Sequence, residues 1–132
     1  MDFALTHDGK KPRDLKERTR DFALRIIRLY GALPRRSEAQ IIGRQILRLG
    51  TAVGANYREG LRARSKQEYA AKLNISLMEL EETLYWLELL EQSGTLSASR
   101  LAGLKAETSE LSAILVTLIK KARGVKRNQE EK

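Results

Sequence analysis

Between Ser65 and Gln92 runs one unbroken segment with two apolar faces. Leu73, Leu77, Leu80, Leu84 and Leu87 recur at steps of four and three, which places them in one stripe along a helix. On the same helix Ile75, Met78, Tyr85, Trp86 and Leu89 fall on the opposite side, with Glu82 among them. A surface helix of a small monomer needs a single apolar stripe. A helix with two must be covered twice, because a large exposed apolar patch marks an interface. The segment therefore calls for helices of its own chain on one side and a further partner on the other.

The rest of the chain supplies those helices. Asp14 with Glu17 makes a capping box, and Leu15, Thr19, Phe22, Ile26, Leu29 and Leu33 follow at helical spacing until Gly31 and Pro34 end the run. Ser37 with Gln40 repeats the cap. The second helix then reaches about Gly60 with Ile41, Ile42, Ile46, Leu49, Ala52 and Val53 as its core face. Ser65 with Glu68 caps the third helix, and Gly94 follows its end. Ser97 starts a fourth, carried by Leu101, Leu104, Thr108, Leu111, Leu115, Leu118 and Ala122 and closed by Gly124. No segment alternates as a strand would. Residues 1–13 read as a loose leader, 14–124 as one helical domain and 125–132 as a polar tail. Four helices with short connections predict an all-α, antiparallel up-down four-helix bundle, with neighbours crossing at roughly 20°.

The second helix offers a counterpart for the spare face of the third. Gly43, Leu47, Gly50 and Gly54 share one side of it, and a mid-helix glycine costs about 1 kcal/mol relative to alanine. Something must approach that backbone closely, either a second subunit or another helix of the same bundle. The subunit reading predicts an oligomer interface of Gly43, Leu47, Gly50, Gly54, Ile75, Met78, Glu82, Tyr85, Trp86 and Leu89. Charge separates by element: residues 65–92 carry two basic and six acidic groups, whereas residues 35–64 carry seven and two. An acidic helix between basic ones can select its partners within and between copies.

The net charge of +8 points to a polyanion as well. Arg44, Arg48, Arg62, Arg64, Lys120, Lys121, Arg123, Lys126 and Arg127 are the candidate contacts. No recognition-helix turn or aromatic stacking run accompanies them, so binding would be phosphate-directed and salt-dependent. Gln45, Asn56 and Glu59 lie on or beside the apolar stripe of the second helix and, with Ser65 and Glu68, read as a buried polar network fixing register. Catalytic chemistry finds little purchase. The chain has no cysteine and its one histidine, His7, lies in the leader, so thiolate chemistry and the Glu-x-x-His pairs of di-iron bundles are missing. No cofactor, metal or enzymatic activity is expected. No stretch approaches the roughly 20 apolar residues of a membrane span, so no membrane role is expected, and the absence of cysteine fits a cytoplasmic location.

Pro34, Glu38 and Gln45, followed by GANYREGLRARSKQEYAAKLNISLMELEETLYWLELL from Gly54 to Leu90, resemble the bacterial four-helix-bundle family also called the 23S ribosomal RNA intervening-sequence proteins. The resemblance rests on Asn56, Glu59 and Gly60, on Arg62 or Arg64 with Ser65, on Glu68-Tyr69, and on Glu81-Glu82 with Trp86-Leu87; Tyr57-Arg58 replace the smaller pair common in that family. It covers about residues 15–123. It implies a homopentamer and kinship with the accessory variability-determinant proteins of diversity-generating retroelements, whose partners are nucleic acid and a reverse transcriptase. It supplies no enzymatic activity. Two functions stand side by side: a non-enzymatic homo-oligomer, pentameric by resemblance, with sequence-tolerant RNA or DNA binding, or a protein-binding adaptor with no nucleic-acid role.

Overall fold

The computed structural model describes residues 14–124, which form four helices and, among those residues, no strand. They are α1 (Leu15–Gly31), α2 (Ser37–Leu61), α3 (Lys66–Gln92) and α4 (Ala98–Ala122). Expectations about the leader and the polar tail, including His7, Lys126 and Arg127, lie outside the described residues.

Local signals account for most of the boundaries. The side chains of Asp14, Ser65 and Ser97 accept the backbone N–H groups of Glu17, Glu68 and Arg100, so each caps a helix start. The α2 start departs from expectation: Arg36 takes the cap position with no side-chain bond, and Ser37 is the first helical residue. Gly94 and Gly124 stop α3 and α4 with φ of 77° and 70°, backbone that a side chain disfavours. Gly60 does not play that part. It lies inside α2, where a Cβ would stand 2.9 Å from a methyl of Leu73.

Successive helices pack side by side around one core, while α1 and α4 touch at few points. Phe22, Ile26, Val53, Leu73, Leu80, Leu87, Leu90 and Leu111 are wholly shielded from water. Burial of each such large side chain is worth about 1.5–3 kcal/mol. Two expected core stripes rotate. On α2 Ile41 is exposed, and Tyr57 and Gly60 face inward instead. On α3 Leu77 and Leu84 are half-buried, while Ser76 and Thr83 sit in the deepest positions. At Ser76 the reason is the close approach of α2: Ser76 Oγ donates to the Val53 carbonyl at 2.8 Å across the seam, while Thr83 Oγ1 donates within α3 to the Glu79 carbonyl at 2.7 Å. Small hydroxyls with backbone acceptors are buried at little cost, where leucines would hold the helices apart.

Candidate functional site

The joint between α2 and α3 gathers polar groups, though not as one buried network. Asn56 is half-buried, and its Nδ2 donates to the two carboxylate oxygens of Glu79 at 3.2 and 3.1 Å. Burial raises the Glu79 carboxyl above its ordinary value, against the Asn56 hydrogen bond and the charge of Arg48. Glu59 faces solvent instead of the core and pairs with Lys72 at 2.8 Å; that hydrogen bond and charge hold its carboxyl below the usual range. Gln45 also stands apart, accepting from Arg48 Nη2 at 2.9 Å. Tyr57, one residue after Asn56, takes the inward place. Burial, with smaller effects from Tyr69 and Asp14, pushes its phenol up to about 12. Ser65 and Glu68 do the capping expected of them: Glu68 Oε1 accepts the Arg64 N–H while Ser65 accepts the Glu68 N–H.

The glycine side of α2 is occupied by α1. A Cβ at Gly50 would stand 2.6 Å from Ile26 Cγ1, and one at Gly54 2.9 Å from Thr19 Oγ1. Gly43 abuts Leu33 and Tyr30, and Leu47 packs against the core. The close approach is therefore made within the chain, which corrects the subunit reading for Gly43, Gly50 and Gly54 and leaves Leu47 half-buried.

Among the described residues the outer face of α3 has no such cover. Ile75, Met78 and Tyr85 are exposed at 40%, 59% and 53%. Trp86 and Leu89 are half-buried beside them, and Trp86 also packs on the core. Tyr85 and Trp86 meet edge-on with centroids 5.1 Å apart, and the indole N–H donates to Glu82 at 3.3 Å. Leu24 and Ile27 add a smaller exposed apolar pair on α1.

Of the basic candidates, Arg44, Arg48, Arg62, Arg64, Lys120, Lys121 and Arg123 are all exposed. Arg44 and Arg48 lie along α2, Arg62 and Arg64 lie in the joint, and Lys120, Lys121 and Arg123 lie at the end of α4, which packs beside the start of α3. Sequence reading missed a second basic cluster. Arg25, Arg28 and Arg100 line a groove between α1 and α4. Further along that seam Arg18 binds Glu107 through two bonds of 3.2 and 2.7 Å and Glu110 through one of 2.8 Å. Burial alone would lower the guanidinium pKa, but its two carboxylate partners outweigh that and hold it above its ordinary value. No local motif links residues so far apart in sequence, so only the fold reveals them.

Among the described residues no group of acidic side chains and histidine is placed to hold a metal ion, and no helix is long and apolar enough to cross a membrane. No curated protein matches the chain. The chain is similar to a protein of unknown function from the S23 ribosomal protein family of Bacteroides thetaiotaomicron VPI-5482, whose crystal structure was determined at 1.70 Å. Identity is 36% and the TM-score 0.77, over 81% of this chain and 99% of that one. The family model described as 23S rRNA-intervening sequence protein matches residues 13–117, from the residue before the α1 cap to the last turns of α4. With the capped joint, the two-sided third helix and these matches in agreement, the chain belongs to the 23S rRNA-intervening sequence protein family.

Proposed function

We propose that this chain is an antiparallel up-down four-helix bundle that assembles into a homo-oligomer, pentameric as the family resemblance implies, and binds RNA or DNA through a basic surface without regard to sequence. It acts in the cytoplasm and carries no enzymatic activity. The order of contacts supports the antiparallel direction: Thr19 meets Gly54, Ile26 meets Gly50 and Leu33 meets Gly43, so one helix ascends as the other descends.

The observation that carries the assembly is the outer face of α3, where Ile75, Met78 and Tyr85 lie open beside Trp86. Burying them against another copy removes that apolar area from water. Support for nucleic acid is the +8 charge, the exposed basic side chains and the ribosomal RNA in the family's description.

Light scattering at micromolar concentration should give a multiple of 15.0 kDa, and a 15.0 kDa particle overturns the assembly. Filter binding of RNA should show weak binding at low salt that falls steeply as salt rises. No binding at low salt removes the nucleic-acid part. The apolar face of α3 then favours the second reading, an adaptor for another protein such as the reverse transcriptase that the kinship implies.

A further inference from the structure

α1 and α4 meet loosely, and a groove of about 320 Å³ opens between them. Leu29, Leu101 and Leu104 line it together with Arg25, Arg28 and Arg100. Leu101 and Leu104 are buried, whereas Arg28 and Arg100 reach solvent, so the groove has an apolar floor and a cationic rim. Among the described residues no ion pair engages these three arginines. Asp21 and Glu107 border the adjoining recess beside Arg25 and Arg28, Arg18 holds Glu107 and Glu110, and among the described residues no carboxylate lines the groove itself. Arg25 is half-buried and lies across α4 at Gly103, where a Cβ would stand 3.1 Å from its Nη2. A glycine within a helix weakens it, and here it leaves room for the guanidinium.

Three like charges around one recess repel each other, so the arrangement favours an anion. Planar guanidinium forks match phosphate oxygens bidentately, and their faces stack on bases. A leucine floor between two helices suits the flat apolar face of an unstacked base, which a duplex keeps covered. We propose that this groove takes single-stranded nucleic acid, with Arg25, Arg28 and Arg100 holding phosphates and the leucine floor receiving a base. The proposal rests on the nucleic-acid reading above and gives it a location distinct from the candidates on α2, in the joint and at the end of α4.

Fluorescence anisotropy of the full-length protein with a short labelled oligouridylate tests it across a salt series. The Arg25→Gln/Arg28→Gln/Arg100→Gln variant should bind about tenfold or more weakly. Its log-log salt slope should be shallower by about 2, near 0.7 for each single-strand phosphate that is no longer neutralised. Arg44→Gln/Arg48→Gln/Arg62→Gln removes the same charge and should cost distinctly less. Gly103→Glu keeps every arginine but sets a carboxylate beneath Arg25, and should weaken binding too. Circular dichroism confirms that each variant keeps its helices. If the wild-type protein fails to bind at low salt, the nucleic-acid reading falls and this proposal with it. If it binds and the two triple variants lose affinity equally, only net charge matters and the groove is overturned. Equal binding of a duplex, with the same dependence on the three arginines, overturns the base-receiving floor. Displacement of the RNA by an acidic peptide at the same concentration overturns the choice of nucleic acid over a protein ligand.

Discussion

The glycine side of α2 and the outer side of α3 pose the same question in the sequence, and the fold answers it in opposite ways. Each is a face of one helix with no evident partner. On α2 the partner is α1, which comes so near that Ile26 and Thr19 stand where side chains at Gly50 and Gly54 would be. On α3 no element among the described residues arrives, and Ile75, Met78 and Tyr85 stay open. The difference lies in what each face offers. Glycines give no area of their own and attract only by letting another surface reach the backbone, which a neighbouring helix does at low entropic cost. Long apolar side chains bring area, and when the chain's own helices are used up elsewhere that area remains for a partner.

The largest effect that separates the two faces is expected at Gly50. Gly50→Val drives a branched side chain into Ile26, and overpacking of this kind costs about 3 kcal/mol. The melting temperature should fall by roughly 10 °C, while the folded fraction keeps the wild-type mass. A variant that melts normally but loses mass would return the glycine side to the subunit interface.

The converse is expected on α3. Met78→Glu and Tyr85→Glu place charge on exposed positions, so stability should change by no more than about 1 kcal/mol while light scattering drops to 15.0 kDa. Trp86→Glu should also break the assembly, but Trp86 is half-buried and packs on the core, so it should cost about 2 kcal/mol as well. Unchanged mass in all three variants would mean that α3 is left open for a different protein.

What the sequence revealed depended on range. Caps at Asp14, Ser65 and Ser97 are decided within four residues, and all three were legible. Two-sidedness in α3 was legible too, because periodicity alone reveals it. The depth of each side chain was not. Ser76 lies deeper than Leu77 where α2 approaches and its Val53 carbonyl accepts the hydroxyl, and buried Thr83 bonds to the Glu79 carbonyl of its own helix. Polarity in a sequence cannot report a carbonyl supplied by another helix. Depth at the joint was hidden too: Glu59, expected in a buried network, turns outward toward Lys72, the Tyr57 phenol takes the inward place, and Asn56 meets a polar group of α3 as expected. Arg25, Arg28 and Arg100 were invisible as a set, since the gap between α1 and α4 exists only once the helices between them are placed.

The smallest expected effect lies at the border of the two faces, where Glu79 reaches back from α3 to Asn56 on α2. Burial raises its carboxyl, so the folded protein holds that proton more tightly than the unfolded chain does. The resulting contribution to stability is fully present below the ordinary carboxylate value and is lost as pH rises through the raised one. Glu79→Gln should flatten that part of the pH–stability curve while keeping an oxygen for the Asn56 amide to donate to. If another copy covers the outer face of α3, Glu79 loses more water and its titration should move further upward on assembly. Carboxyl NMR of the protein at high and low concentration measures this. Identical titration in the assembled and dissociated protein would place the edge of the subunit contact short of Glu79, on the side of Met78 and Tyr85.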